Sequence, residues 1–325
     1  MKGFTKILKY IHPKNMEGKL QKFFDLVLAI VTTLVVFFAV VKCGIYHMCF
    51  YENGRKIVTK LFVLKNNLLH QETFDKIASR LAIYDAKIKE SPLKFIRLGG
   101  DNDGGYVVPS QVLEASEALM GYGISDDISF EREFSQRFNK PSYGFDCGVQ
   151  NIETGDSRCH FFSECIGTSD YLYENQISSG RVSFFSDQLQ RLGLKNKKIF
   201  IKMDIEGAEF EVLYDILNHS DNVTGIVFEF HMTPCGTPKK ALQILSSLDR
   251  HFVLVHLHGT NVTFDCFKSK NAKNYIPTVL ELTYVNKKLL SSYEISKNQK
   301  HPQPIDQPNH VNLSDYKFEI IPNSL

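Results

Sequence analysis

The feature that most constrains this chain is a regular alternation of short apolar runs and helical patterns that starts after Pro92. The apolar runs predict strands at residues 117–122, 142–145, 160–165, 198–203, 225–230 and 252–257, and helical patterns fall at 129–138, 186–192, 206–217 and 239–249. Strands joined by helices pair in parallel through right-handed crossovers. A last strand at 279–285 follows without an intervening helix, which predicts an antiparallel addition. We therefore expect an α/β domain with a seven-stranded, mostly parallel sheet and helices on both faces.

An apolar run at residues 23–41 predicts a membrane anchor. Roughly 20 apolar residues cross a hydrocarbon core of about 30 Å, and the apolar character continues beyond Lys42 as far as Tyr46. The run starts too late and is too long for a cleaved signal peptide, and a buried core helix would be shorter with a polar face. We expect one transmembrane helix within 23–46, which makes the lipid bilayer a partner of a single-pass membrane protein.

The remaining segments differ in composition. Residues 1–22 form a basic N-terminal segment, and residues 47–91 are charged, with leucine and isoleucine at helical spacing that predicts a helical stalk. The α/β domain then covers 92–290, and 291–325 form a C-terminal tail whose later part is rich in proline and asparagine. Lysines precede the anchor and basic residues also follow it, so the positive-inside rule only slightly favours a cytoplasmic N-terminus.

Composition excludes several classes of protein. The chain is 43% hydrophobic and 23% charged, which excludes wholesale disorder. Its formal net charge of +2 is too balanced for a nucleic-acid partner. Seven cysteines lack a CxxC pair, which argues against a zinc site and predicts free thiols in a reducing compartment.

Candidate ligand-binding residues follow the first two predicted strands. Gly121 and Gly123 would let the backbone approach a ligand closely, and Asp126 either contacts that ligand or caps the next helix. Asp146 ends the second strand, where an acidic residue binds ribose hydroxyls in dinucleotide-binding sheets; a solvated loop aspartate is the alternative. Because the glycines do not form GxGxxG, no helix N-terminus is prepared for a pyrophosphate. The pattern favours a ligand that has a nucleoside but no phosphates.

Acidic residues and a histidine lie at the ends of the fourth and fifth predicted strands. Asp204 and Glu206 alternate onto one side of a strand end, where two carboxylates could hold a divalent cation, accept a proton or contact an ammonium group. Glu209 reads as a charge at a helix start. Glu229 and His231 share one face of the fifth strand, and the histidine could accept a hydroxyl proton or bind a metal; a structural histidine is the alternative.

A glycine-rich turn lies ahead of the first strand of the predicted sheet. Glycines at 99, 100, 104 and 105 require a tight turn, which would fix Asp103 and Tyr106 in position. The turn precedes the first ligand-binding loop, so it predicts a wall or lid of the pocket. A plain β-turn is the alternative.

The sequence around the fourth strand resembles a known enzyme family. Residues 200–213 (FIKMDIEGAEFEVL) are similar to the signature of FkbM-type methyltransferases, and residues 186–194 match the preceding helix of that family. The turn with Asp-Gly-Gly-Tyr, the run at 122–131, Glu229-Phe230-His231 and Ile276-Pro277 resemble a methyltransferase-like subgroup. The resemblance covers about residues 97–287, and its most specific part is KMDIEGAE at 202–209.

This resemblance implies a Rossmann-like class I methyltransferase fold and an activity. The enzyme would transfer a methyl group from S-adenosylmethionine to a hydroxyl oxygen of a sugar or related metabolite. Gly121, Gly123, Asp146, Asp103 and Asp126 would bind the donor. At the reacting end, His231 would act as the base. Asp204 and Glu206 would orient this base, the donor or a metal ion. Asp204 is the first candidate ligand of such a metal. A small molecule or glycan is the expected acceptor.

Two other functions fit parts of the pattern. A membrane-anchored glycosyltransferase would use Asp204 and Glu206 to hold a metal-bound nucleotide-sugar, and an external domain would explain the sequon-like triplets at Asn222, Asn261 and Asn312. A non-catalytic scaffold with the same fold is the third hypothesis. The weak positive-inside bias places the domain outside the cytoplasm, whereas the methyl donor is supplied in the cytosol, so the side of the membrane stays open.

Overall fold

The structure is a computed structural model that describes Lys22 and residues 45–167, 181–232 and 237–322. The basic segment at 1–22, apart from Lys22, and the predicted anchor up to residue 44 lie outside the described residues. Within the described part of the chain, no helix combines the length and the apolar character needed to cross a membrane.

The first described helix, α1 (Ile45–Arg80), is interrupted by a kink at His70, whose φ and ψ are −139° and 21°. Beyond the kink, Phe74, Ile77 and Ala78 are completely buried against the α/β domain. Phe74 stacks on Phe267 with the ring centroids 4.3 Å apart. The second half of the predicted stalk is therefore part of the core, and each of its buried large side chains contributes about 1.5–3 kcal/mol.

After α1 the described chain continues as a series of strands and helices. In order these are β1 (Tyr84–Ile88), β2 (Ser91–Pro92), β3 (Phe95–Gly99), β4 (Gly105–Pro109), α2 (Ser110–Ala115), β5 (Ala118–Tyr122), α3 (Ser129–Phe138), β6 (Ser142–Phe145), β7 (Cys159–Phe162), β8 (Glu164–Ile166), β9 (Arg181–Ser183), α4 (Phe185–Arg191), β10 (Ile199–Met203), α5 (Glu209–Asn218), β11 (Val223–His231), α6 (Pro238–His251), β12 (Phe252–Gly259), β13 (Cys266–Phe267), β14 (Ala272–Lys273), β15 (Ile276–Pro277), β16 (Val279–Asn286), β17 (Ser292–Ile295), β18 (Lys300–His301) and β19 (Phe318–Ile320).

Seven of these strands form one sheet in the order β12-β16-β11-β10-β5-β6-β7. The pairs from β11 to β7 are parallel, and β16 is antiparallel to both β11 and β12. The predicted α/β class, the seven strands and the antiparallel last strand are confirmed. The predicted strand at 160–165 is two strands, because β7 joins the large sheet whereas β8 pairs with β9.

Both faces of the large sheet are covered by helices. Along β5, Met120 belongs to the core that includes residues of α4, α5 and α6, and Leu119 belongs to the core that includes residues of α2 and α3. Successive side chains of a strand point to opposite faces, so the apolar run of β5 supplies both cores. This arrangement is compatible with a Rossmann-like fold.

The C-terminal segment packs into the domain over much of its length. The strand β17 pairs with β1, and β19 pairs with both β14 and β18. Leu313, Phe318 and Ile320 are buried. The end of the chain therefore supplies core side chains, and it also delivers polar residues to the sheet edge described below.

Two cysteines form a disulfide, so the expectation of free thiols is wrong for this pair. Cys147 follows β6, and Cys165 lies within β8, with their Cα atoms 4.8 Å apart. Sequence spacing did not reveal the pair because β6 and β8 approach each other only in the folded sheet. Cys159 is a buried thiol, as the sequence predicts.

Candidate active site

A cleft of about 190 Å³ lies where β5, β6 and β10 end. The strand order reverses between β6 and β10 on either side of β5, and open α/β sheets bind ligands at such a switch point. Side chains and backbone from all three strand ends line the cleft. Its lining residues are Tyr122, Gly123, Phe145, Asp146, Cys165, Ile166, Asp204, Ile205, Glu206 and Ala208.

Gly123 forms the floor of the cleft in a left-handed conformation, with φ of 71°. A Cβ atom at this position would lie 1.4 Å from the backbone oxygen of Asp204. The Gly123 carbonyl accepts a hydrogen bond of 2.8 Å from Lys202 Nζ. A glycine is therefore required here because the β5 loop lies directly on the β10 loop. This contact fixes the two loops that line the cleft relative to each other.

Asp146 lies in the cleft with its carboxylate held by backbone amides. Oδ2 accepts a hydrogen bond of 2.8 Å from Ser125 N, and Oδ1 accepts one of 2.7 Å from Gly148 N. The two bonds fix the orientation of the carboxylate. Its remaining lone pairs are available to the hydroxyls of a bound ligand.

Gly121 does not line the cleft. A Cβ atom there would lie 1.9 Å from Glu131 Oε1, so the glycine makes room for a completely buried carboxyl group. Burial raises the pKa of Glu131, although the charge of Lys202 lowers it. The structure thus gives Gly121 a packing role, and its predicted contact with a donor stays a prediction.

Asp103 and Asp126 are exposed residues outside the cleft lining. Asp103 Oδ1 accepts hydrogen bonds from Gly104 N at 3.2 Å and from Asn309 Nδ2 at 3.5 Å. The neighbour of Asp126, Asp127, makes the capping contact, because its Oδ1 accepts a hydrogen bond of 2.8 Å from Ser129 N at the start of α3. Donor contacts for Asp103 and Asp126 also stay predictions.

Asp204 lies at the deep end of the cleft with one oxygen partnered and one not. Oδ2 accepts a hydrogen bond of 3.2 Å from the hydroxyl of the buried Tyr106. Oδ1 is buried and has no hydrogen-bond partner among the described residues. Burial raises the pKa of Asp204, and Glu206 and Glu209 raise it further, against the opposing charges of Lys202 and His231.

His231, at the end of β11, is surrounded by carboxylates. Its Nδ1 lies 3.2 Å from Glu209 Oε1, and its Nε2 lies 3.3 Å from Glu206 Oε2 and 3.7 Å from Glu229 Oε1. Burial lowers the pKa of His231, but the hydrogen bond and charge of Glu209, with the charges of Asp204 and Glu206, offset it and leave that pKa raised. We name these five residues the cleft cluster: Asp204, Glu206, Glu209, Glu229 and His231.

Glu209 differs from the sequence interpretation, whereas Glu229 lies beside His231 as the alternation along the strand predicts. Glu209 is completely buried, so its interpretation as a charge at a helix start is incomplete; its Oε1 also accepts a hydrogen bond of 3.1 Å from Ile205 N. Glu229 is only 7% exposed, and burial, followed by the charges of Asp204 and Glu281, raises its pKa well above the usual value. The sequence signal for the buried position of Glu229 was its place within an otherwise apolar strand.

Glu206 reaches His231 from a strained backbone. Its φ is 54°, followed by 103° at Gly207, and a residue other than glycine in this region costs about 1–2 kcal/mol. The side chain is 85% exposed, yet Oε2 approaches the imidazole of the buried His231. The ligand atoms of Asp204, Glu206 and His231 all lie within 4.8 Å of one another, which suits a metal ion.

A second histidine–carboxylate group lies beside the first, where the C-terminal segment covers the sheet edge. His258 Nδ1 lies 3.1 Å from Glu281 Oε2 and its Nε2 lies 3.7 Å from Asp315 Oδ1, while His256 Nε2 lies 3.0 Å from Asp306 Oδ1. Burial opposes protonation, but Glu281 and Asp315 raise the pKa of His258 to about 11. We name these residues the tail cluster: His256, His258, Glu281, Asp306 and Asp315.

A groove of about 780 Å³, larger than the cleft, lies between β1, β17 and the edge strand β12. Its lining includes Asp85, His256 and Glu294. The groove borders the edge strand β12 and the β1–β17 pair, not the carboxyl ends of the parallel strands. The smaller cleft is therefore the better candidate active site.

Comparisons with known proteins assign no family to the chain. No family model matches it, and no curated protein is significantly similar to it.

Proposed function

We propose that this chain is an S-adenosylmethionine-dependent methyltransferase that methylates a hydroxyl oxygen. The observation that carries the proposal is the cleft at the switch point of a sheet in which the seven strands, numbered along the chain, lie in the order 3-2-1-4-5-7-6. In class I methyltransferases the last strand along the chain is antiparallel and lies between the fifth and sixth strands, as β16 does here. The KMDIEGAE run lies at this cleft, which supports assignment to the FkbM-type family.

The donor side of the cleft suits a nucleoside. Asp146 presents a carboxylate fixed by two backbone amides, as binding of a ribose diol requires. The aromatic ring of Phe145 and the side chain of Ile166 give the cleft apolar walls for an adenine ring. Among the residues that the structure describes, the cleft lining includes no lysine or arginine that would favour a pyrophosphate. These features favour a nucleoside sulfonium over a dinucleotide or a nucleotide-sugar.

The reacting end of the cleft suits deprotonation of an alcohol. An acceptor oxygen would form a bond to the methyl carbon while the bond from that carbon to sulfur breaks, which releases S-adenosylhomocysteine and a methyl ether. The hydroxyl proton leaves on the side of the cleft cluster, where His231 and three carboxylates converge. Holding the two reactants in line supplies much of the rate.

The same observations leave a glycosyltransferase as the second candidate. The converging carboxylates of Asp204 and Glu206 would hold the cation of a nucleotide-sugar diphosphate. Calorimetry of the 325-residue chain in detergent discriminates the two: we expect S-adenosylhomocysteine to bind and UDP-sugars with Mn²⁺ not to bind. Binding of the UDP-sugar alone would replace the first proposal with the second, and binding of neither would favour a scaffold.

A pair of variants locates the donor site. Asp146→Asn should weaken S-adenosylhomocysteine binding by roughly 10- to 100-fold, because it removes a charged acceptor of hydroxyl hydrogen bonds. Asp85→Asn is the matched control, since Asp85 is an exposed aspartate of the larger groove. Equal affinity of the Asp146 variant and the wild type would contradict the donor site. Loss of affinity in the Asp85 variant would move the donor to the larger groove.

We also propose that residues 23–46 anchor the chain in a membrane with the α/β domain on the non-cytosolic side. Disulfides such as Cys147–Cys165 persist in oxidising compartments, which supports this side over the cytosol. On this side the methyl donor would have to be transported across the membrane to the domain. Of the three sequons, Asn261 is completely buried and Asn312 is exposed. Expression in secretory cells should therefore give a glycan at Asn312 that is lost in Asn312→Gln. An unmodified Asn312 with reduced cysteines would contradict the orientation.

A further inference from the structure

We propose that Asp204, Glu206 and His231 bind a divalent cation that holds the acceptor oxygen, with the buried carboxylate of Glu229 beside it. This inference rests on the proposed methyl transfer and adds a metal dependence and a substrate class to it. The acceptor would be a hydroxyl compound able to coordinate a metal through oxygen.

The candidate ligand atoms lie close enough to share one ion. Glu206 Oε2 lies 3.3 Å from His231 Nε2, and both lie within 4.8 Å of the ligand atom of Asp204. Ligands about 2.1 Å from one ion lie about 3.0–3.4 Å apart when they are neighbours in octahedral or tetrahedral geometry. The facing atoms of His231 and Glu206 already have this spacing. Small side-chain movements would bring the carboxylate of Asp204 to the same distance.

One oxygen of Asp204, Oδ1, is buried and has no hydrogen-bond partner among the described residues. Tyr106 holds the other oxygen and thereby orients the carboxylate. An ionised carboxylate oxygen removed from water requires a donor or a cation, and a metal ion in the cleft would supply one.

Two glutamates on neighbouring strands differ in how their side chains are partnered. Glu229 on β11 and Glu281 on β16 are register partners, and like charges in such pairs are destabilising. Glu281 is balanced by His258 at 3.1 Å and by an Asn309 amide at 2.7 Å. Glu229 is 7% exposed, and its only ion-pair contact in the described residues is His231 Nε2 at 3.7 Å. Glu229 therefore lacks the close partners that Glu281 has, and a cation beside it would supply one.

The surroundings of His231 fit a metal ligand. Its Nδ1 lies 3.2 Å from Glu209 Oε1, so an Nδ1–H group donating to Glu209 leaves the lone pair of Nε2 directed at the cluster. Metal-bound histidines commonly have this second interaction, which fixes the tautomer and the ring orientation. Two carboxylates with one imidazole are a donor set for Mn²⁺ or Zn²⁺ more than for Mg²⁺.

Such a cation would activate the acceptor in a balanced step. With His231 as a metal ligand in place of the base, the coordinated hydroxyl would lose its proton to water at the exposed side of the cleft, where Glu206 is 85% exposed. The resulting alkoxide forms the carbon–oxygen bond as the carbon–sulfur bond of the donor breaks. The cation is neither oxidised nor reduced in this step.

Titration of the 325-residue chain with Mn²⁺, followed by calorimetry and by the electron paramagnetic resonance of free Mn²⁺, tests the site without donor or acceptor. We expect one site, with affinity reduced at least about tenfold in Glu206→Gln and further in Asp204→Asn. Glu206 is exposed, so its variant should fold, and near-UV circular dichroism checks both variants. Glu153→Gln, at another exposed glutamate, is the matched control and should bind as the wild type does.

The outcomes separate this inference from the proposed function. Absence of Mn²⁺ and Zn²⁺ binding by a chain that binds S-adenosylhomocysteine would overturn the metal site and leave the methyltransferase proposal intact. Metal binding by a chain that does not bind S-adenosylhomocysteine would leave the metal site intact and overturn the methyltransferase proposal. Equal Mn²⁺ affinity in the wild type and in folded Asp204 and Glu206 variants would show that the ion binds elsewhere and would also overturn the inference.

Discussion

The cleft cluster and the tail cluster are built from the same residue types on adjoining strands, yet they differ in closure. In the tail cluster, His258 lies between Glu281 and Asp315, and the C-terminal segment seals the group from solvent. In the cleft cluster, Glu206 is exposed on a left-handed backbone, and no segment covers it among the described residues. The difference teaches that a cluster of ion pairs closed off from solvent fixes a chain segment, whereas a cluster open to solvent is accessible to a ligand.

The largest expected effect of the comparison is on activity. Asp204→Asn should lower kcat/KM by on the order of 10²–10⁴, because it removes a charge at the reacting end while keeping the shape of the side chain. The measurement is release of S-adenosylhomocysteine with a panel of hydroxyl acceptors that supports turnover by the wild type. His258→Gln is the control from the tail cluster and should change kcat/KM by less than about threefold. Equal losses in the two variants would remove the functional distinction between the clusters.

The second prediction reverses the comparison and concerns stability. His258→Ala should lower the free energy of unfolding by about 3–5 kcal/mol, because Glu281 and Asp315 would remain buried without their cationic partner. His231→Ala should cost about 1–2 kcal/mol, since solvent can reach the cleft cluster on the side of Glu206. Urea unfolding of both variants provides the values. A larger loss for the His231 variant would contradict the structural role of the tail cluster.

The third prediction separates two histidines on the tail side by pH. The pKa of His258 is raised from 6.5 to about 11, so its stabilising contribution is complete below about pH 6.5 and is lost as the pH rises towards 11. Burial, with the nearby His256, lowers the pKa of His301 to about 4. Between pH 4 and 6.5, His301 therefore binds fewer protons in the folded chain than in the unfolded chain. The contribution of His301 to stability falls as the pH falls through that window.

Unfolding measured from pH 4 to pH 10 checks these windows. The stability difference between wild type and His258→Gln should shrink above pH 6.5, and the acid-side loss should be smaller in His301→Gln. A stability difference for the His258 variant that grows with rising pH would contradict the assigned protonation state.

Much of the large sheet could be predicted from the sequence. The run from Ile199 to Met203 is wholly apolar apart from Lys202 and is flanked by helical patterns, which identifies a buried parallel strand. Parallel strand ends meet at one edge, so the approach of Asp204, Glu206 and His231 also followed from local pattern. The prediction that these residues perform methyl transfer remains untested.

The rest depends on contacts between distant parts of the chain. Glu281 meets His258 because β16 lies beside β12, and Asp306 and Asp315 arrive from the C-terminal segment; no local periodicity encodes either event. Gly121 looked like a ligand-binding glycine, but its partner is Glu131 on α3. Glu209 follows a helix-start pattern, and only the fold shows that its side chain turns inwards to His231. Long-range packing therefore decided both the role of a glycine and the environment of a charge.

Hydrogen–deuterium exchange of the chain with and without S-adenosylhomocysteine tests the central claim most directly, because it reports where the ligand binds. We predict protection at residues 120–127, 144–149 and 203–209, which border the cleft, and unchanged exchange at 252–259 and 300–320, which border the tail cluster. Protection confined to the tail cluster or to the larger groove lined by Asp85 and Glu294, or no protection at saturating ligand, would contradict the assignment of the cleft as the donor site.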